Sequence, residues 1–176
     1  MFTHRLATPA DLDALRTVMA LAIAELQKDF LTPEQIAASN AVMGLDTQLI
    51  ADGSYFIVEE EGQIAGCGGW SRRATLYGGD HSKDLRDPAL LDPATDAARI
   101  RAMYTHPDFA RRGVGRLVMA LCEDAARAAG FARAEMMATL SGEPLYRACG
   151  YTPIEHVAAP GPDGVTVPLI RMGKPL

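Results

Sequence analysis

The sequence predicts an α/β fold, and three observations carry that prediction. First, the hydrophobic period changes within one stretch. Ile100, Ala102, Met103 and Tyr104 form an apolar and aromatic strand run, after which Val114, Leu117, Val118, Leu121, Cys122 and Ala125 recur at helical spacing. Second, residues 54–60 and 63–71 read as two strands flanking Glu61-Gly62, the composition of a hairpin turn. Third, Thr8-Pro9-Ala10-Asp11 and Thr32-Pro33-Glu34-Gln35 each combine an N-cap threonine, a first-turn proline and a capping-box partner.

Length and composition bound the rest. A chain of 176 residues suits one domain spanning 1–176 with a substantial core. With 48% hydrophobic and 22% charged residues it has the composition of a folded chain rather than a disordered one. No apolar run approaches the ~20 residues of a membrane-spanning helix, and residues 1–20 lack the basic-then-apolar layout of a signal peptide. The expectation is a cytoplasmic protein with no membrane partner. A net charge of −5 argues against nucleic acid as the main partner and is compatible with a cationic amine. Cys67, Cys122 and Cys149 show no redox or metal spacing and read as small hydrophobes in a reducing compartment. His4, His81, His106 and His156 share no ligand pairing, so no metal is expected.

Taken in order, residues 2–6 form a first strand. Thr8 caps a helix whose apolar stripe is Leu12, Leu15, Val18, Met19, Ala22 and Ile23. A second helix opens at Thr32. In the hairpin that follows, Gly66, Gly68 and Gly69 are unusual, because glycine in a strand forfeits packing and backbone entropy; they mark a bulge or a close approach to the backbone. Trp70, Arg72 and Arg73 stand at that strand's end as pocket candidates, the arginines suited to an acceptor carboxylate. Residues 74–98 read as a long polar loop with one helical turn at 88–91, and Tyr77, Asp80 and His81 are its candidates for a lid. After the helix at 114–129, stopped by Gly130, come a strand at 132–139 containing Glu135, a short helix carrying Tyr146 and ended by Gly150, and a closing hairpin. Pro168 in the last strand predicts an edge or a bulge, and an uncovered edge leaves a homodimer open.

The segment 99–129 carries the chemistry. Strand, glycine loop, helix is an anion-binding arrangement: Gly113 and Gly115 let backbone approach a ligand, and the helix start offers unpaired N–H groups and a positive dipole end. Arg111, Arg112 and Arg116 add charge suited to phosphate. The phosphate loop of nucleotide triphosphatases would need four residues between its glycines and a Lys-Ser or Lys-Thr after the second; here one residue intervenes and Arg116-Leu117 follows. The dinucleotide fingerprint needs a third small residue where Val118 stands, although Glu135 lies near its acidic position. That leaves a nicotinamide oxidoreductase as a weak rival.

Gly113 and Gly115, approached through His106-Pro107-Asp108-Phe109, resemble the acetyl-CoA loop of the GNAT superfamily of N-acetyltransferases, with Ala110 where the family carries Gln or Arg. Downstream, Leu145-Tyr146-Arg147-Ala148-Cys149-Gly150-Tyr151 is similar to the family's Phe/Leu-Tyr-x-x-x-Gly-Phe/Tyr. The resemblance implies a mixed, partly splayed β-sheet flanked by helices, with acetyl-CoA as co-substrate and a primary amine of a small molecule or peptide as acceptor. It implies that the backbone of Met103, Tyr104 and Thr105 holds the pantetheine arm, that the bend from Arg111 to Arg116, Val114 included, holds the phosphates, and that residues 25–45 wall the acceptor. It makes Tyr146 the proton donor, with a reference pKa of about 10. Glu135, on the strand after the loop helix, is the candidate base. The family's frequent Asn before the Tyr helix is absent, with Thr139 and Ser141 nearby instead. A catalytically silent acyl-CoA-binding sensor or scaffold is the alternative.

Overall fold

The computed structural model describes residues 1–176. Its strands are β1 (Thr3–Leu6), β2 (Tyr55–Glu60), β3 (Gln63–Ser71), β4 (Ala98–Thr105), β5 (Arg133–Thr139), β6 (Thr152–Pro160) and β7 (Thr166–Pro175). The helices are α1 (Leu12–Glu25), α2 (Pro33–Ser39), α3 (Thr47–Ala51), α4 (Val114–Ala128) and α5 (Glu143–Ala148). One sheet contains every strand, in the order β1-β2-β3-β4-β5-β7-β6. All neighbours are antiparallel except β4 and β5, so the sheet is mixed.

Local chemistry sets the elements where the sequence places them. The amide N–H and the hydroxyl of Thr8 donate to the Asp11 carboxylate at 2.8 and 3.0 Å, closing a turn that leads into α1. Gln35 N–H donates to Thr32 Oγ1 at 3.2 Å while Thr32 N–H donates to Gln35 Oε1 at 3.0 Å, a reciprocal cap on α2. Glu61 and Gly62 both have positive φ, 52° and 81°, as a two-residue hairpin turn of matching twist requires.

Side-chain alternation then divides the core between two faces. On one, Leu15, Met19 and Ile23 of α1 pack with Tyr55, Ile57 and Cys67. On the other, Val114, Val118 and Cys122 of α4 pack with Val58, Ala65 and Trp70. Adjacent Ile57 and Val58 thus serve opposite layers.

The β3 glycines permit the second layer. A Cβ on Gly66 would lie 2.5 Å from Val114 Cγ1, and one on Gly68 would lie 2.7 Å from Val118 Cγ1, so α4 rides directly on the strand backbone. Both readings of these glycines hold, since the β3–β4 register also shifts between Cys67 and Gly69. The irregularity sits at Ala102, whose φ of 51° turns β4 and whose carbonyl accepts from the Tyr55 hydroxyl at 2.7 Å.

Three expectations change. Helix α3 was not anticipated; Asp46 caps it by accepting from Gln48 N–H at 3.0 Å. Pro168 is not on an edge, because β7 lies between β5 and β6. It sits one residue beyond the last β5 partner, Thr139 opposite Leu169, where no ladder bond to β5 is lost. The loop between β3 and β4 has its helical turn at Lys83–Leu85 rather than at 88–91. That loop is tied down: Thr75 and Asp87 exchange hydrogen bonds, Ser82 Oγ donates to Ala41 O at 3.0 Å, and Asp80 accepts from Thr47 N–H at 3.0 Å. The ring of His81 reaches Asn40 O at 2.8 Å, so neither it nor Asp80 is a free lid residue.

Candidate active site

Two features meet where the sheet opens. The first is the bend between β4 and α4. His106 N–H still bonds Ala65 O at 2.9 Å, but the chain then turns through Arg111 and Gly113, whose φ values are 63° and 88°. None of the six successive amides from Arg111 to Arg116 finds an acceptor within the chain. They belong to a bend of alternating handedness and the first turn of a helix, a geometry suited to an anion. The two glycines serve different ends. A Cβ on Gly113 would meet nothing within 4 Å, so only its backbone angle calls for glycine; one on Gly115 would lie 2.5 Å from Leu145 Cδ2, so there the need is space.

The three arginines also differ. Arg112 Nη2 donates to Glu60 Oε2 at 2.7 Å, and its guanidinium lies 5.2 and 5.1 Å from the Phe2 and Phe109 ring centres. It fastens the bend to β2, and its charge is committed. Arg116 makes one long contact to Ala148 O at 3.5 Å, and the exposed Arg111 side chain bonds nothing.

The second feature is a cleft. Strands β4 and β5 pair only at Ala98 with Ala134 and Arg99 with Glu135, then part. Past Arg99 the β5-facing edge of β4 has no strand partner, so its backbone groups face the gap. A cavity of ≈ 70 Å³ fills the opening, lined by residues 100–104 of β4, Met136, Met137 and Thr139 of β5, Tyr146 of α5, residues 42–44 before α3 and residues 76–78 of the β3–β4 loop. At about 10–15 Å³ per water this holds roughly five to seven, and the cavity opens to solvent beyond that volume.

Tyr146 stands in this wall at 9% exposure, edge-on to Tyr151 with ring centres 6.5 Å apart. Its hydroxyl makes no hydrogen bond within the chain, and burial pushes its pKa well above the ordinary phenol value of 10.0, so the proton stays on oxygen. Gly142 makes room for it: a Cβ there would come 2.7 Å from Cε2 and 3.2 Å from the hydroxyl oxygen. The Tyr104 hydroxyl is occupied, accepting from Gly44 N–H at 2.8 Å. Arg101 is the one ionic side chain in the lining, and it donates from Nη2 to Asp46 Oδ2 at 3.0 Å and to Gly78 O at 2.8 Å.

Residues 19–151 match a family model described as the Acetyltransferase (GNAT) family. The chain belongs to this family. Solved structures agree in fold. A GCN5-related N-acetyltransferase from Rhodopseudomonas palustris superposes with a TM-score of 0.72 at 20% identity, covering 99% of this chain and 95% of that one. A paia N-acetyltransferase from Thermoplasma acidophilum in complex with coenzyme A gives 0.66 at 11% identity, covering 100% and 99%. The yncA protein from Salmonella typhimurium, with acetyl-CoA, gives 0.64 at 19% identity, covering 99% and 94%. No curated protein sequence matches the chain. No helix is long and apolar enough to cross a membrane.

In this GNAT acetyltransferase, the sequence-predicted residues divide into two groups. Tyr146, Met103 and Tyr104 line the cleft, Thr105 follows on the same parted strand, and the bend from Arg111 to Arg116 lies at its continuation into α4. Glu135 does not join them. It sits at the still-paired end of β5, and its Oε2 accepts from Arg99 Nη1 at 3.1 Å and from Arg171 Nε and Nη2 at 3.0 and 2.6 Å. An oxygen holding three charged donors is a poor base, and Glu135 does not line the cavity. Nor do Trp70, Arg72 and Arg73. Trp70 is core, edge-on to Phe131 at 6.0 Å, with the Arg72 guanidinium 5.5 Å over its ring. Arg73 grips Asp52 through two bonds of 2.8 and 2.9 Å. Sequence reasoning missed Arg101 and Asp46. The available signal was an arginine interrupting the apolar run Ile100-Arg101-Ala102-Met103 of a central strand.

Proposed function

We propose that the parted β4–β5 cleft acetylates a primary amine of a small molecule, with Tyr146 as the proton donor and the bend from Arg111 to Arg116 as the seat of the coenzyme's phosphates. The carrying observation is the run of six bare amides at the start of α4, directly after a strand whose edge is unpaired. Diphosphate is acceptor-rich and anionic, which fits that cradle, and Arg111 and Arg116 have charge to spare beside it. Acetyl-CoA supplies an already activated thioester, so this chain's residues need only position, polarise and move protons.

The β4 backbone past Arg99 offers main-chain groups to a ligand lying along the gap, as a strand would. Tyr146 holds a proton at a hydroxyl with no competing partner. Burial weakens it as an acid, and desolvation in the same cleft shifts a departing thiol in the same direction. No Asp, Glu or His lines the cavity, so the proton lost by the amine leaves through water rather than to a side-chain base. We place the reaction in the cytosol, where the unpaired thiols of Cys67, Cys122 and Cys149 remain reduced.

Thiol release from acetyl-CoA in the presence of small amines tests this reading. Tyr146→Phe is expected to bind acetyl-CoA normally and to lose about 10²–10⁴-fold in kcat. A kcat within threefold of the unaltered enzyme removes Tyr146 from the reaction.

A further inference from the structure

The side chains lining the cavity are apolar apart from hydroxyls and one charge, and backbone groups add polar surface between them. Met43, Met103, Met136 and Met137 supply flexible, polarisable surface, and no acidic side chain is present. A polyamine or a basic peptide would find nothing to pair with there. Arg101 is 3% exposed, yet its guanidinium is not used up. Nη2 spends both its hydrogens on Asp46 and Gly78, leaving Nη1 and Nε without acceptors. The fully enclosed side-chain polar atoms without a partner are Gln27 Oε1 and the Tyr151 hydroxyl, so the spare Arg101 nitrogens keep solvent contact, and Arg101 lines the cavity.

Asp46 fixes this side chain in place. Its Oδ2 holds Arg101 while Oδ1 accepts from Gln48 N–H at 3.0 Å and from Arg86 Nη2 at 3.3 Å. Arg86 is shared with Asp80, whose Oδ1 lies 3.5 Å from the same Nη2, so Asp46 stays close to Arg101 while two of the Arg101 nitrogens keep no acceptor. A buried cation with spare donors in an apolar wall is electrostatically incomplete until an anionic acceptor meets it.

We propose that Arg101 is the acceptor-specificity residue: its Nη1 and Nε donate to a carboxylate on the amine acceptor, so the enzyme takes amino-acid-like amines with an apolar body in preference to plain amines. Asp46 is a positioning residue for it. This rests on the reading of the cleft as the acceptor site, and it selects among the acceptors that reading allows.

The test uses leucine, methionine and phenylalanine, each compared with its carboxamide and its decarboxylated amine, by thiol release from acetyl-CoA. The carboxylated member of each set is expected to exceed the other two at least tenfold in kcat/KM. In Arg101→Met the acid-to-amide ratio falls toward one, and in Arg101→Lys, which keeps the charge and a donor to Asp46, part of it returns. Acetyl-CoA binding by calorimetry establishes that each variant is folded. Equal use of acid, amide and amine overturns the proposal, as does a ratio that survives in Arg101→Met. Turnover of none of the nine compounds by an enzyme that binds acetyl-CoA also overturns it, while the transferase reading still stands or falls on Tyr146→Phe with other amines. Should Arg101→Met not fold, the wild-type ratios and Arg101→Lys decide.

Discussion

Gly66→Ala is the substitution most revealing of how the sheet and the anion bend depend on each other. The added carbon would lie 2.5 Å from Val114 Cγ1 and 3.0 Å from the Tyr104 carbonyl oxygen. Val114 is the first residue of α4 and is 1% exposed, so it has no space to yield into. Overpacking of this kind costs about 1–3 kcal/mol, offset by about 0.4–1 kcal/mol because alanine restricts the unfolded chain. The expected net loss is roughly 0–2.6 kcal/mol, or about 2–4 °C of Tm per kcal/mol for a chain of this size. Relief must come from displacing the start of α4, which carries the bare amides, so CoA affinity should fall as well. Urea denaturation measures the first effect and calorimetric CoA titration the second. Val114→Ala removes the clashing methyl; combined with Gly66→Ala it should recover about 0.5–3 kcal/mol relative to additivity. A Gly66→Ala protein more stable than the parent, or strict additivity with Val114→Ala, refutes the contact between α4 and the β3 backbone.

Gly113→Ala meets no atom, so its cost is conformational alone, about 1–2 kcal/mol for a left-handed residue, and denaturation with unchanged near-neighbour packing should show it. Glu135→Gln strips charge from an oxygen that takes three guanidinium donors and should cost about 1–3 kcal/mol, yet the acidic limb of the kcat/KM–pH profile should stay where it is. Loss of that limb would restore Glu135 as the base. The Arg73 guanidinium holds the Asp52 carboxyl below its ordinary range. A depressed folded pKa gives stability that is fully present above the unfolded value of about 3.9 and is lost as pH falls through the folded one. The stability gap between the parent and Arg73→Met should therefore be constant near neutrality and narrow below about pH 4; a gap independent of pH contradicts the pairing.

Local signals survived into the structure where the backbone alone decides. The caps at Thr8 and Thr32, the Glu61-Gly62 turn and the stops at Gly130 and Gly150 each follow from residues no more than three apart in the chain. The bend at Gly113 was legible for the same reason. What the sequence concealed depends on tertiary partners. Trp70 and Arg73 look like pocket residues beside a strand end, but Phe131 and Asp52, 61 and 21 residues away, claim them. Glu135 looks like a free strand carboxylate until Arg99 and Arg171 arrive from the flanking strands. Arg101 carries no mark of its role in the strand run itself, because its partner Asp46 lies 55 residues away. A five-residue helix such as α3 has too little periodicity to register.

The bare amides of residues 111–116 are tested most directly by calorimetric titration of the unaltered protein with CoA and, separately, with pantetheine, which lacks the diphosphate and nucleotide. Saturable one-site heat with CoA and none with pantetheine at the same concentrations is the expected result. Equal affinity for the two, or no heat with CoA, contradicts an anion seat at the start of α4.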